Sequence, residues 1–123
     1  MALQIFRARS LLWFFAGKVH AILQRSWEYR VKGRDYFDFV WYIARGVPCH
    51  LSHLEHRLRQ SGGWLEDSPL GPEDLVKRLS TRFEDLDVEA ARKDVLPFLK
   101  DVDQVALWSK EFFQSLLPRL TLT

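Results

Sequence analysis

The chain is short of the groups on which covalent, redox and metal sites usually depend. Its one cysteine, Cys49, cannot close an internal disulfide, which fits a reducing compartment. No glycine-rich phosphate loop, dinucleotide-binding glycine pattern or Ser-His-Asp arrangement can be placed in its 123 residues. Strand-like alternation is nearly absent, and there are no repeats and no low-complexity segment. No apolar run approaches the length that crosses a bilayer. The longest, Leu11–Gly17, follows Arg7 and Arg9 but is stopped by Lys18 and His20 without a cleavage site, so it does not read as a signal peptide. A cytoplasmic protein with no membrane partner is expected.

What is present is apolar and aromatic. Hydrophobic residues make up 47% of the chain and aromatics 14%, too much for disorder, and the length suits one domain with one core. The net charge is only +2, but it is unevenly spread. Residues 1–60 carry ten Lys/Arg against four Asp/Glu, and residues 61–123 carry eight against twelve. All four histidines lie in the first half. A basic first half suits a phosphate-bearing ligand or nucleic acid, although a solvated helical surface carries such charge as well.

Six helices are expected, giving an all-α, compact helical array in a single domain over residues 1–123. The first runs from Ser10, as N-cap, to about Trp27, with Leu11, Leu12, Phe15, Ala16, Val19, Ile22 and Leu23 on one arc. His20 and Gln24 fall opposite, and Lys18 and Arg25 sit seven apart beside the arc. A basic connector, residues 28–34, leads to a helix from Asp35 as N-cap to Arg45, ended by Gly46 and Pro48. A third covers Leu51 to Gln60. The Gly/Pro/Ser loop 61–71 is the best internal boundary. Pro72 opens a fourth helix to about Leu86, and Asp87 caps a fifth that Pro97 limits. A sixth extends from Asp101 or Asp103 to Leu117, leaving residues 119–123 either extended or frayed.

One constellation stands out. Asp35, Asp38 and Tyr42 stand at i, i+3 and i+7 and so share a helix face, with Arg45 at its border. Lys32 and Arg34 precede that face, where free backbone N–H groups are also expected, and Lys18 comes from the helix before. Cations, N–H donors and two carboxylates in one small volume would hold a phosphate and polarise a hydroxyl. The same residues also fit a plain structural role, with Asp35 as a cap, Asp38 as a dipole partner and Lys18 as a solvated flank.

The stretches Phe15-Ala16-Gly17-Lys18-Val19-His20-Ala21-Ile22-Leu23 and Arg30-Val31-Lys32-Gly33-Arg34-Asp35-Tyr36-Phe37-Asp38-Phe39-Val40-Trp41-Tyr42 resemble the third and fourth motifs of the AbiEii/AbiGii nucleotidyltransferase toxins. In that family a Lys lies in a G-K-x-x-A-L helix and K-x-R-D-x-x-D opens the next. The likeness continues through Ala44–Pro48, Asp87–Phe98, and Trp108-Ser109 with Phe112-Phe113. It implies the carboxy-terminal helical lobe of such an enzyme. It further implies that Lys18, Lys32 and Arg34 contact nucleotide phosphates and that Asp35 or Asp38 is an essential acid, with a slight preference for Asp35.

One departure matters. The family's other half carries a Gly-Ser motif and a strand-borne D-x-D that binds Mg²⁺ for reaction with a nucleoside triphosphate, and residues 1–14 are atypical and offer none of this. Asp85-Leu86-Asp87 and Asp101-Val102-Asp103 fall at helix junctions and read as caps and surface acids. The resemblance therefore implies a chain inactive alone: a truncated frame, a gene remnant, or a protein whose amino-terminal half is encoded separately. That missing half, an antitoxin or a second copy would be its partner, with Trp13 and Phe14 as a sticky patch. A helical nucleic-acid binder working through the basic half is the remaining alternative. His50, His53 and His56, at i, i+3 and i+6 after Cys49, spread over about 120° of helix, so at most two neighbours could share a metal easily, and they read as solvated helix residues.

Overall fold

The computed structural model describes residues 2–25 and 31–123, with residues 2–9 described by their backbone alone. Its elements are α1 (Ala2–Gln24), α2 (Gly33–Ala44), α3 (Leu51–Gln60), α4 (Pro72–Glu84), α5 (Val88–Val95) and α6 (Lys110–Leu116). Short 3-10 turns occur at Leu96–Phe98, Val102–Val105 and Leu117–Arg119. The described residues form no strand, only an isolated parallel bridge between Cys49 and Leu122. The fold is all-α, as the periodicity predicts.

Helix α1 is the spine. Phe15, Ala16, Val19 and Ile22 of its apolar arc are buried, and it packs on α2, α3 and α4. Helix α2 turns its own buried stripe, Tyr36, Phe39 and Ile43, toward the same interior and lies against α5. Tyr36, Phe39, Phe83 and Phe113 meet there with ring centroids 5.5–6.3 Å apart, tilted or edge to face. Burial of each such ring stabilises by roughly 1.5–3 kcal/mol.

Most helix starts follow local chemistry. The His50 ring accepts from His53 N–H (3.4 Å) at α3, Asp87 from Ala90 N–H (3.0 Å) at α5, and Ser109 from Phe112 N–H (2.9 Å) at α6. At α4, Pro72 occupies the first turn and the Asp74 carboxylate accepts from Gly71 N–H (2.9 Å). Gly46, at φ +67°, takes the left-handed turn after α2. The loop 61–71 is held in place. Arg59 donates to the Glu66 and Ser68 carbonyls, Glu55 accepts from Leu70 N–H (2.6 Å), and the buried Trp64 indole donates to the Ser68 carbonyl (2.9 Å).

Four expectations need correction. First, α1 starts well before Ser10, which lies inside the helix; Trp27 and residues 28–30 of the basic connector lie outside the described residues. Second, Asp35 is not an N-cap. Helix α2 begins at Gly33, its N-cap Lys32 makes no side-chain capping bond, and the Gly33 N–H is taken by the Asp94 carboxylate of α5 (2.8 Å). A tertiary contact supplies what a local cap would. Third, the sixth helix is interrupted. The Arg92 guanidinium reaches across from α5 to the carbonyls of Val105 (3.1 Å) and Trp108 (2.6 Å), replacing helical hydrogen bonds there, and Ser109 restarts the helix. Fourth, helix α4 ends sooner than expected, at Glu84, with Leu86 buried beyond it.

The carboxy end is paired, not frayed. Cys49 N–H donates to the Thr121 carbonyl (2.9 Å), Thr123 N–H to Cys49 (3.0 Å), and Leu51 N–H to Thr123 (3.0 Å).

Candidate functional site

Two consecutive helices meet where Lys18 of α1 faces the first turns of α2. The Lys18 ammonium lies 2.9 Å from Asp38 Oδ2 and 3.5 Å from Asp35 Oδ1. The other oxygen of Asp35, Oδ2, accepts from Arg25 Nε at 2.9 Å. Asp35 is 2% exposed, so a full carboxylate is carried inside the fold, compensated by two cations that both retain access to water. Such a group is retained only when paired and hydrogen-bonded. Asp38 differs: its side chain is 38% exposed, and among the described residues Lys18 is its ion-pair partner. Burial works against the charge on Lys18, but the bond and charge of Asp38, with Asp35 behind them, outweigh it and hold the ammonium above its ordinary value.

Around this triad are two clefts. The larger, about 600 Å³, is lined by Lys18, Arg25, Lys32 and Arg57, with Asp35 as the one acid among its described residues. Gly17 and Ala21 also line it, as do the exposed Trp13 and Phe14. The smaller, about 270 Å³, shares Lys18 and Lys32 with the first and adds Arg34, Asp38 and Phe98. The Arg34 guanidinium lies over the Phe98 ring, 4.6 Å from its centroid.

The residues singled out in the sequence are thus divided. Lys18 and Lys32 line both clefts, Asp35 the larger one, and Asp38 and Arg34 the smaller. Tyr42 stacks on Phe15 (4.9 Å, 14°) and lines the larger cleft. Burial and the Asp38 charge push its phenol up, Lys18 opposing them. Arg45, expected at the border of the same face, instead lies over Trp41 at 3.9 Å. The free N–H groups expected at the start of α2 are not all free, because Asp94 occupies the first of them.

Sequence reasoning missed three contributors. Arg25 was visible, since seven residues from Lys18 is two turns on one face. Arg57 comes from α3 and has no sequence signal linking it to the motif. Arg82 of α4 donates to the carbonyls of Ile22 (2.8 Å) and Arg25 (2.6 Å), holding the end of α1 from which Arg25 reaches Asp35.

Of the histidines, His20 lines the larger cleft and His53 stacks on Trp13. Rather than facing only solvent, the His20 ring and Gln24 both bond the Ser61 hydroxyl, at 2.9 and 3.3 Å. Among the described residues no group of three or more His, Cys, Asp or Glu is placed to hold a metal ion. Burial first, and then the positive charge of Arg57, hold His20 and His53 below the ordinary 6.5. A histidine that binds its proton less tightly in the folded than in the unfolded chain stabilises the fold above about pH 6.5, and that stabilisation fades as pH falls. The urea midpoint should therefore drop between about pH 7.5 and about pH 5.5, and His20→Gln should flatten the drop. A midpoint that holds steady or rises on acidification would contradict this.

The described residues thus define an all-α domain with a buried, cation-clamped carboxylate between two basic clefts. The family model for the nucleotidyl transferase AbiEii toxin, of the Type IV toxin–antitoxin system, matches residues 4–114, and the chain belongs to that family. Comparison with curated proteins and with solved structures gives no match. No described helix is long and apolar enough to cross a membrane.

Proposed function

We propose that this chain is the helical lobe of a nucleotidyltransferase toxin and that its larger cleft receives the phosphates of a nucleoside triphosphate. The observation that supports this best is the convergence of Lys18, Arg25, Lys32 and Arg57, from three separate stretches of chain, on one cleft where Asp35 is the single opposing acid among the described residues. Cations with their own hydrogen-bond donors are the usual recognition groups for phosphate. In this reading Asp35 is a positioning residue that fixes Lys18 and Arg25 relative to each other. Asp38, more exposed and in the smaller cleft with Lys32 and Arg34, is the acid that would take the proton of an acceptor hydroxyl.

The family implies Mg²⁺, and the residues here do not fit it. Asp35 has both oxygens engaged by cations and Asp38 is engaged by Lys18, so neither offers a divalent ion an uncompensated carboxylate. The D-x-D carboxylates are read as belonging to a partner half outside residues 1–123. An antitoxin is the other partner the family suggests.

The expected behaviour is binding without transfer. Tripolyphosphate should bind the pure chain with an affinity that falls with salt, and Lys18→Ala should weaken it about tenfold. Lys18→Arg should restore most of the loss. Labelled triphosphate should give no product with the chain alone. Unaltered tripolyphosphate binding in both Lys18→Ala and Arg57→Ala would remove the phosphate reading, and metal-dependent transfer by the pure chain would remove the claim of dependence on a second half.

A second reading draws on the neighbouring exposed aromatics Trp13 and Phe14, which suit a contact with an antitoxin or a second copy. A monodisperse monomer in light scattering, with Phe14→Ser unchanged in behaviour, would count against it.

A further inference from the structure

The larger cleft has a second character besides charge. Trp13, Gly17, His20, Ala21 and Gln24 recur at helical spacing along one stripe of α1, and all line it. Gly17 and Ala21 leave the middle of that stripe without bulk. A Cβ placed on Gly17 would already lie 3.3 Å from the Arg57 guanidinium, which crosses the floor at that point. The small residues of the G-K-x-x-A string thus make room, while Lys18 beside them supplies charge.

At one end of this open floor stands Trp13. Its indole is stacked on the His53 ring of α3, with centroids 5.2 Å apart and planes 14° from parallel. The residue is nonetheless 53% exposed. One face of the indole is therefore covered and held by an imidazole, and much of the rest is in water beside the cationic floor. Lys18 lies five residues on, about 7.5 Å along the helix axis, and Arg25 about 18 Å along it. Aromatic and anionic recognition are thus separated along a single groove, as they are in a nucleotide.

We infer that Trp13, braced from behind by His53, is the platform on which the base of the bound nucleotide stacks, with its phosphates running along Gly17 toward Lys18 and Arg25. This rests on the proposed phosphate cleft and adds the side chain that recognises the nucleoside part. Stacking tolerates any base because every base has a π face, and it strengthens with ring area. The cleft therefore prefers purine to pyrimidine triphosphates without choosing sharply between adenine and guanine.

The test compares ATP, UTP and tripolyphosphate binding to the full chain by isothermal titration. ATP should bind about tenfold more tightly than tripolyphosphate, with UTP between them. Trp13→Ala should abolish that advantage and leave tripolyphosphate binding unchanged, and Trp13→Phe should keep part of it. Lys18→Ala should weaken all three ligands together. ATP no tighter than tripolyphosphate in the wild type, or equal losses for both ligands in Trp13→Ala, would overturn the platform while leaving the phosphate cleft standing. Failure of tripolyphosphate itself to bind would remove both. A Trp13→Ala change in oligomeric state with an intact ATP preference would assign the indole to an interface instead.

Discussion

Gly33→Ala should destabilise the protein by about 3 kcal/mol or more, although helix propensity alone argues the opposite sign. A Cβ at this position would sit 1.9 Å from the Ala91 carbonyl oxygen and 2.9 Å from its carbon. Both obstacles are backbone of α5, so no side chain can swing away. The glycine is not needed for its φ, since positive values occur only at Gly46 and Gly62 among the described residues. It is needed because two helices touch there, and Asp94 hydrogen-bonds the Gly33 N–H at the same point. Separating α2 from α5 enough to admit a methyl group would break that bond and shift Asp35 and Asp38, which follow within two turns. Thermal and urea unfolding of the variant, beside Gly62→Ala as a strained but uncrowded control, would measure the effect. A loss below about 1 kcal/mol would mean that the two helices yield easily.

The second large effect concerns asymmetry around the buried carboxylate. The double variant Lys18→Ala/Arg25→Ala is expected to cost about 3 kcal/mol, and Asp35→Asn only about 1 kcal/mol. Removing the cations strands a charge in a position 2% exposed. Removing the acid strands two cations whose side chains are 34% and 42% exposed and can turn to water. Chemical denaturation of both variants at one pH would decide. If Asp35→Asn proved the costlier, the carboxylate would be holding the fold by something other than charge compensation.

Much of this architecture was legible from residue pattern. The apolar arc of α1, the Gly46 stop, the Pro72 start and the Asp87 cap all act within one or two helical turns, where sequence spacing is spatial spacing. The meeting of Lys18 with Asp35 and Asp38 was legible for a related reason, because the two helices are consecutive and the charges lie near their junction. What could not be read depends on groups distant in sequence. Asp94 caps a helix that starts sixty-one residues earlier. Arg92 interrupts the sixth helix by satisfying carbonyls of residues 105 and 108. Arg57 reaches the cleft from α3, and nothing in the motif announces it. The difference in burial between Asp35 and Asp38 was likewise closed to sequence. Asp35 leads the pair in the motif, but it is enclosed, and Asp38 keeps its access to water.

The pairing of residues 121–123 with the segment between α2 and α3 bears on the single sulfur in the chain. Cys49 is fully buried, and burial pushes its thiol up to about 12, so in the closed fold it is inert toward thiol reagents. Its own N–H and carbonyl are tied to Thr121 and Thr123. Detachment of those residues is one of the smallest excursions that would loosen its surroundings. The speed at which a disulfide reagent finds this one atom is therefore a clock for the breathing of the carboxy end, and a tag fused there would make it run fast.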